Sequence, residues 1–382
     1  MSVEIKNVKS KSDLRAFINL HYDLYKGNPY DVPSLYSDEV NTLSKDRNAA
    51  FDFCEAEYFL AYKDGKLCGR VAAIINHRAN EKWNKLDVRF GWLDFIDDIE
   101  VSRALFKAVE NYGRSKGMTA IIGPLGFSDM DKEGMLTYGF DRMSTMATLY
   151  NYDYYPRHME QLEGWVKDND YVEYLIPIPE KVPDKLVKLA TMIEQRYNLH
   201  AKKVTPKDIR NGYARKLFEI INATYGDLYG FVTLTDHQID QYVKMFLPAV
   251  DFDLVTVIVD GNNDDRIIGI AITIPSLAKA LKKCHRGRLF PFGWWHVLRA
   301  VKFGKTEGVD LLLIGVLPEY RGKGANALIL TDLIPRYIAR GYKWGESQVE
   351  METNTGVQGQ WNAFEHENHK KRRCFRKEIG AE

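Results

Sequence analysis

Hydrophobic periodicity divides the chain into two similar halves. Leu14, Phe17, Ile18, His21, Leu24 and Tyr25 fall at helical spacing behind a candidate N-cap at Ser12, and Gly27-Asn28-Pro29 ends that helix. A turn-rich, partly helical stretch runs on to about Phe53. Residues 57–63 and 67–76 read as strands joined at Asp64-Gly65, a dipeptide suited to a tight hairpin. Residues 88–95 form a further aromatic strand. Val101, Leu105, Ala108, Val109 and Tyr112 make the apolar stripe of a helix that stops near Lys116-Gly117, and 119–123 is a short strand before Pro124.

The same order returns in the second half. Leu217, Ile220, Ile221 and Tyr225 mark a helix. Residues 254–259 and 267–275 are strands around a turn at 261–265, and 310–316 is a long buried strand. A helix over 326–340, with Pro335 as a point of kinking, ends at Gly341, and 344–351 is the next strand. Gly69 and Gly269 occupy matching places, as do Lys116-Gly117 and Arg340-Gly341. The pattern predicts a tandem repeat of one α/β unit at a period of about 200 residues, far longer than solenoid repeats; two unrelated α/β halves are the alternative. Pro177, Pro179 and Pro183 place the connector at 176–184, giving domains 1–175 and 185–382.

With 382 residues, two domains are the expectation from length as well. A net charge of +1 sets up no global field for nucleic acid, and no nucleic-acid motif is present. Cys54, Cys68, Cys284 and Cys374 are scattered without metal-like pairing, which fits a reducing cytoplasm. The first residues lack an apolar signal region, and no apolar run approaches the ~20 residues needed to span a bilayer. A cytoplasmic protein, at most peripheral to the inner membrane face, is expected.

The second half turns on one stretch. The apolar run Leu311-Leu312-Leu313-Ile314-Gly315-Val316 ends at Pro318, and Tyr320-Arg321-Gly322-Lys323-Gly324-Ala325 then leads into a helical pattern. A strand–turn–helix of this kind aims backbone N–H groups and a helix N-terminus at an anion. Gly322 and Gly324 let the backbone approach closely, and Arg321 and Lys323 add cationic donors. The corresponding turn of the first half, Asp97-Asp98-Ile99-Glu100, is acidic and repels phosphate.

The stretch from Val316 to Ala325 resembles motif A of the GCN5-related N-acetyltransferase (GNAT) superfamily, the pattern that cradles the diphosphate of acetyl- or acyl-coenzyme A. The match runs through Gly324; Asn326 then stands where the family has Gly or Ala. The resemblance implies two GNAT-like units with mixed central sheets flanked by helices, the N-terminal one degenerate, and an acyl-coenzyme A co-substrate with no metal. It also implies Val316, Arg321, Gly322, Lys323, Gly324 and Ala325 as donor-binding residues. Gly126-Phe127-Ser128, Gly134-Met135-Leu136, Gly139-Phe140-Asp141, Tyr150-Asn151-Tyr152 and Pro291-Phe292-Gly293 resemble a bacterial tandem group that includes relatives implicated in ceramide synthesis, where a fatty acyl chain moves from a thioester carrier to a sphingoid amine.

Acyl transfer to an amine needs a base for the ammonium proton and an acid for the leaving thiolate. The strands flanking motif A offer Asp310, Glu346, Glu350 and Glu352. Glu352, at the strand end before Asn354, is the first candidate base and Glu350 the second. By alternation the two share a face and could raise each other's pKa; the alternative for each is a solvated charge at a strand end. Asn354 resembles the asparagine that bonds the pantetheine arm. Trp361 stands near the place of the family's tyrosine acid, and an indole cannot protonate a thiolate. The acid is therefore unassigned, with His366 and His369 as weak candidates. His366-Glu367-Asn368-His369 does not have the spacing of a zinc helix.

Residues 279–305 hold Lys279, Lys282, Lys283, Arg286, Arg288, Arg299, Lys302 and Lys305 with no acidic residue between them, interleaved with Phe290, Phe292, Trp294 and Trp295. That mixture suits a water–lipid interface and makes Phe292, Trp294 and Trp295 candidates for contact with a lipidic substrate. The alternative is an insertion that packs its aromatics into the core. The run from Lys370 to Lys377 is a last strand, a site for the 3′-phosphate of coenzyme A or a solvated edge. The cluster Tyr150, Tyr152, Tyr154 and Tyr155 lines an acceptor pocket or packs a core. Together these features point to an acyl-coenzyme A-dependent N-acyltransferase with an amine acceptor, lipidic or small, and a non-catalytic acyl-coenzyme A sensor or membrane-docked scaffold as the rival.

Overall fold

The hairpin at Asp64-Gly65 joins strands Cys54–Lys63 and Lys66–Asn76. Asp64 (φ 53°) and Gly65 (φ 73°) are both left-handed, as a two-residue turn matched to strand twist requires. The structure, a computed structural model, describes residues 2–226, 228–246, 250–304 and 306–380. Lys305 of the basic stretch lies outside them.

The chain forms two compact units, and neither is a single run of sequence. The first comprises residues 1–172, 278–296 and 369–382, the second 173–277 and 297–368. In the first, Lys66–Asn76 pairs antiparallel with Asp87–Phe95, which pairs parallel with Ala120–Gly123. The helix Ile99–Ser115 makes the crossover between the two parallel strands and buries Val101, Leu105 and Val109. In the second unit, Val255–Asp260 and Arg266–Pro275 form the hairpin, Gly308–Val316 adds antiparallel and Trp344–Ser347 adds parallel. There the crossover is the helix Ala325–Ala339, which buries Leu328, Ile329, Leu333 and Tyr337. The two units thus repeat one topology, as periodicity predicts.

The division at 1–175 and 185–382 needs correction at two places. The strand Glu367–Glu378 pairs with Ala120–Gly123 (Phe375↔Gly123), so the end of the chain completes the first unit's sheet. The strand Val166–Pro177, from the first half of the sequence, pairs with Trp344–Ser347 (Trp344↔Pro177) in the second. Each unit takes in a strand segment from the other half of the sequence, an arrangement that local patterning does not encode. Residues 278–296 also belong to the first unit.

Details at the helix ends follow from side-chain chemistry. Ser10, not Ser12, caps the first helix, Lys11–Leu24. Its Oγ accepts from the Asp13 N–H (3.1 Å), and Asp13 accepts from the Ser10 N–H (3.0 Å). The reciprocal pair satisfies two orphan donors at once. In the acidic turn, Asp98 caps Ile99–Ser115 through the Glu100 N–H (3.0 Å) and pairs with Lys63, while Asp97 meets His158 Nε2 at 2.9 Å. Those carboxylates occupy the position a phosphate takes at a basic turn.

Two further expectations are settled by burial. Tyr150 and Tyr155 are buried, Tyr25 stacks on Tyr152 with centroids 4.9 Å apart, and Tyr25 and Tyr155 share a 3.0 Å hydroxyl hydrogen bond. The tyrosine cluster is therefore core of the first unit. The basic C-terminal run is a strand inside the sheet: Lys370 and Arg372 are buried, Arg373 forks onto Asp170 (2.7 and 2.9 Å), and Arg376 bonds Asp87 (3.0 Å). Arg373 and Arg376 are thereby committed within the first unit.

Candidate active site

The long apolar strand Gly308–Val316 is the spine of the second unit. It pairs with Trp344–Ser347 from Gly308↔Trp344 to Leu311↔Ser347, where the register with that neighbour ends; the strand itself continues to Val316. Leu311, Leu312, Leu313 and Ile314 are only half-buried although they lie in an interior strand. Beyond Leu311 the strand has no register with that neighbour, and its apolar side chains stay partly accessible to water. The Ile314 carbonyl accepts from Tyr225 Oη at 2.9 Å.

The turn after Val316 is held from several sides. The Leu317 N–H donates to the Ile268 carbonyl (2.8 Å), and Pro318–Tyr320 forms one tight helical turn. Tyr320 Oη donates to Asp260 (2.6 Å), whose carboxyl that bond holds below its usual range. Arg321 Nη2 donates to the Thr224 carbonyl (2.7 Å), and Lys323 Nζ lies 4.2 Å from the centroid of the Tyr320 ring. Gly322 (φ 76°) and Gly324 (φ 84°) are left-handed, and Gly324 caps the helix Ala325–Ala339.

Two features make this turn fit an anion. A Cβ on Gly322 would meet no heavy atom within 4 Å, so the space in front of the backbone is open. Among the described residues, no backbone group accepts from the amides of Gly322, Gly324, Ala325 or Asn326. Unpaired amides at a helix start, with a lysine beside them, form a cradle for phosphate oxygens. At the first unit's acidic turn the corresponding helix start is instead capped by Asp98, which accepts from the Glu100 N–H.

The carboxylates sort differently from their order in sequence. Glu350 is buried; its Oε1 accepts from Trp361 Nε1 at 2.9 Å, and its Oε2 has no hydrogen-bond partner among the described residues. Burial pushes its pKa up to about 7, against the pull of the Trp361 N–H. Glu352 is exposed at the end of the strand, and its carbonyl accepts from Gln358 Nε2 (3.0 Å). Mutual elevation by two facing carboxylates is not what raises Glu350: the cause is desolvation, and Glu352, in water, is screened. Glu350 is thus the buried carboxyl of the pair and Glu352 the exposed one.

Asn354 caps the short helix Thr355–Gln358, its Oδ1 accepting from the Val357 N–H at 3.4 Å. Gln358 ties the strand end together: its Nε2 donates to the Met351 carbonyl (2.8 Å), and its Oε1 accepts from Tyr174 Oη (3.1 Å). Glu350 lies near enough to two tyrosines to raise the pKa of each, after burial as the main cause; Tyr225 reaches about 12. Tyr174 precedes the connector and Tyr225 ends the helix Ala214–Tyr225. Neither carries a motif signal, because their proximity to Glu350 is created by the fold. His366 is exposed and His369 is buried in the first unit, so neither stands out as the acid.

Phe292, Trp294 and Trp295 belong to the first unit and are 76%, 45% and 44% exposed. The core-packing alternative for this stretch is thereby excluded. Their exposure places them on the surface of that unit.

No family model matches the chain. It is 27% identical to Protein YghO of Escherichia coli (strain K12) over 98% of its own length and 95% of that protein. It is 26% identical to the bacterial ceramide synthase of Caulobacter vibrioides (strain NA1000 / CB15N), covering 82% of the chain and 80% of the relative. Among solved structures, a tandem GNAT protein from the clavulanic acid biosynthesis pathway aligns over 100% of both chains with a TM-score of 0.56 at 12% identity. The chain has the tandem GNAT fold. A GCN5-related N-acetyltransferase from Sphaerobacter thermophilus aligns over 99% of the chain and 96% of that structure, with a TM-score of 0.52 at 14% identity. Within this tandem GNAT chain, the open basic turn is in the second unit and the acidic, self-capped turn in the first.

Proposed function

We propose that the second unit is an acyl-coenzyme A-dependent N-acyltransferase. The observation that carries this reading is the apolar, half-buried strand that leads directly into an open turn of unpaired amides. In this reading the amides from Gly322 to Asn326 and Lys323 hold the diphosphate. Val316 and the leucines behind it line the path of the pantetheine arm, with the Asn354 side chain beside it.

Glu350 is the base. As a carboxylate it takes a proton from the acceptor's ammonium group, directly or through one water, and so frees the lone pair. The amine nitrogen then attacks the thioester carbon, the C–N bond forms and the C–S bond breaks. The Tyr225 hydroxyl, poised at the Ile314 carbonyl, gives its proton to the departing sulfur; the second proton that the nitrogen loses as the amide forms restores the tyrosine, and the proton on Glu350 is released to solvent. The products are an amide and free coenzyme A. The cysteines do not enter: all are buried, and burial raises each thiol above its usual pKa, so direct transfer is favoured over a covalent intermediate.

For the acceptor we favour a long-chain amine of sphingoid type. The support is the apolar wall from Leu311 to Ile314 together with similarity to a protein named as a ceramide synthase. Free-thiol release from acyl-coenzyme A separates the readings. Turnover with a sphingoid base and little with short amines supports the lipidic acceptor; the reverse supports a small-amine acetyltransferase. Tight donor binding without thiol release under any acceptor supports a sensor, a reading weakened by the presence of Tyr174 and Tyr225.

The pH profile is a further check. The base form of Glu350 is required, so kcat/KM is expected to fall as pH drops through about 7. Trp361→Phe removes the N–H that favours the carboxylate and is expected to move this acid limb to higher pH. A limb that stays in place in the variant contradicts the assignment of the base.

A further inference from the structure

We propose that residues 283–295 of the first unit dock on an anionic lipid surface. This rests on residues apart from the proposed catalytic site and stands independently of the acyl-transfer reading. Phe290 is 80% exposed and Phe292 76%, on either side of Pro291, with Trp294 and Trp295 beginning the helix Gly293–Lys302. Aromatic side chains this large are seldom left in water next to one another.

The base of the segment is clamped, so its tip is displayed on a fixed support. Lys282 Nζ donates to the carbonyls of Asn28 (2.7 Å) and Asp31 (2.8 Å), and Arg286 Nη2 pairs with Asp23 at 2.5 Å. A Cβ on Gly287 (φ 66°) would lie 2.1 Å from the Ser34 carbonyl oxygen. The Trp294 indole N–H donates to the Pro291 carbonyl (2.9 Å), so the ring's polar edge is already satisfied when its face leaves water.

The charge around the tip selects the occupant. No acidic residue lies between Lys279 and Lys302 in sequence. Lys283 and Arg288 are exposed on the near side, with the Arg288 guanidinium 3.9 Å from the Tyr36 ring centroid, and Arg299 and Lys302 are exposed further along the helix. Exposed aromatics with the exposed cations Lys283 and Arg288 beside them in the chain match the interfacial zone of an anionic leaflet: the rings enter the acyl boundary and the cations meet lipid phosphates. A protein partner would have to present a large acidic rim around an apolar centre, and a second copy of this segment would bring like charges together.

Flotation of the full-length protein tests this with two vesicle types, phosphatidylcholine alone and phosphatidylcholine mixed with phosphatidylglycerol. The wild type is expected to float with the mixed vesicles, to stay behind with the neutral ones and to be released by high salt. Phe290→Ser with Phe292→Ser is expected to lower vesicle binding by at least about tenfold. Lys283→Glu, at an exposed side chain whose change does not threaten the fold, is expected to lower it by several-fold. Three results overturn the proposal: no flotation, flotation unchanged by the variants, or concentration-dependent dimers that the variants dissolve, the last assigning the patch to a second copy.

Discussion

Glu350→Gln is expected to lower kcat by about 10²- to 10⁴-fold, the range for losing a positioned general base, with little change in affinity for the donor. Glutamine keeps an oxygen to accept from Trp361 Nε1 and fills the same volume, so the fold is retained. The stability change has a defined sign. The carboxyl binds its proton more tightly folded (about 7) than unfolded (4.5). Its contribution is therefore fully present below 4.5 and is lost as pH rises through 7, which amounts to a penalty of about 3 kcal/mol in alkaline solution. Removing the charge is expected to leave the variant as stable as the wild type at acid pH and more stable above pH 7. Thiol-release kinetics and thermal melting at two pH values check both halves. An active Glu350→Gln enzyme returns the base to Glu352, for which Glu352→Gln is the matching experiment.

The second large effect is expected at the turn. Gly322→Val places a branched side chain in the open space before the amides, at a φ of 76° that valine rarely adopts. Losing two hydrogen bonds to charged phosphate oxygens, at about 1.5 kcal/mol each, weakens donor binding at least about 100-fold. Because Gly322 is exposed and its Cβ meets nothing, the stability cost is limited to backbone strain, about 1–2 kcal/mol. Titration calorimetry with acetyl-coenzyme A, alongside a melting curve, distinguishes loss of the cradle from loss of the fold.

Much of the fold is legible in the sequence because its signals are local. The hairpin at Asp64-Gly65, the stripe from Val101 to Tyr112, the apolar run ending at Val316 and the glycines of the following turn all sit where periodicity and turn chemistry put them. Non-local pairing is what escapes. The exchange of Val166–Pro177 and Glu367–Glu378 between the two halves leaves no mark on either strand's pattern, so the sequence supports a linear domain boundary and leaves the cations from Lys370 to Lys377 uncommitted. The same holds at the site. Glu352 ranks first by its place at a strand end, yet the fold leaves it exposed. Glu350 becomes distinctive only when Trp361, eleven positions on, folds over it. Tyr174 lies in the strand Val166–Pro177 and Tyr225 at the end of the helix Ala214–Tyr225, and only the fold brings both near Glu350.

The basic aromatic stretch shows the opposite case. Composition alone left interface and core equally open for Phe290, Phe292, Trp294 and Trp295. Exposure decides between them, because side chains in a core do not keep between 44% and 80% of their surface in water.

The central claim is that amides around Gly322 and Gly324 bind the diphosphate of a coenzyme A thioester. Calorimetry with two donors, acetyl-coenzyme A and acetyl-pantetheine, which lacks the diphosphate and nucleotide, tests it directly. The account predicts clear heat and saturable binding with the first and at least about 100-fold weaker binding with the second. Equal affinity for the two, or no heat with any coenzyme A thioester, contradicts it.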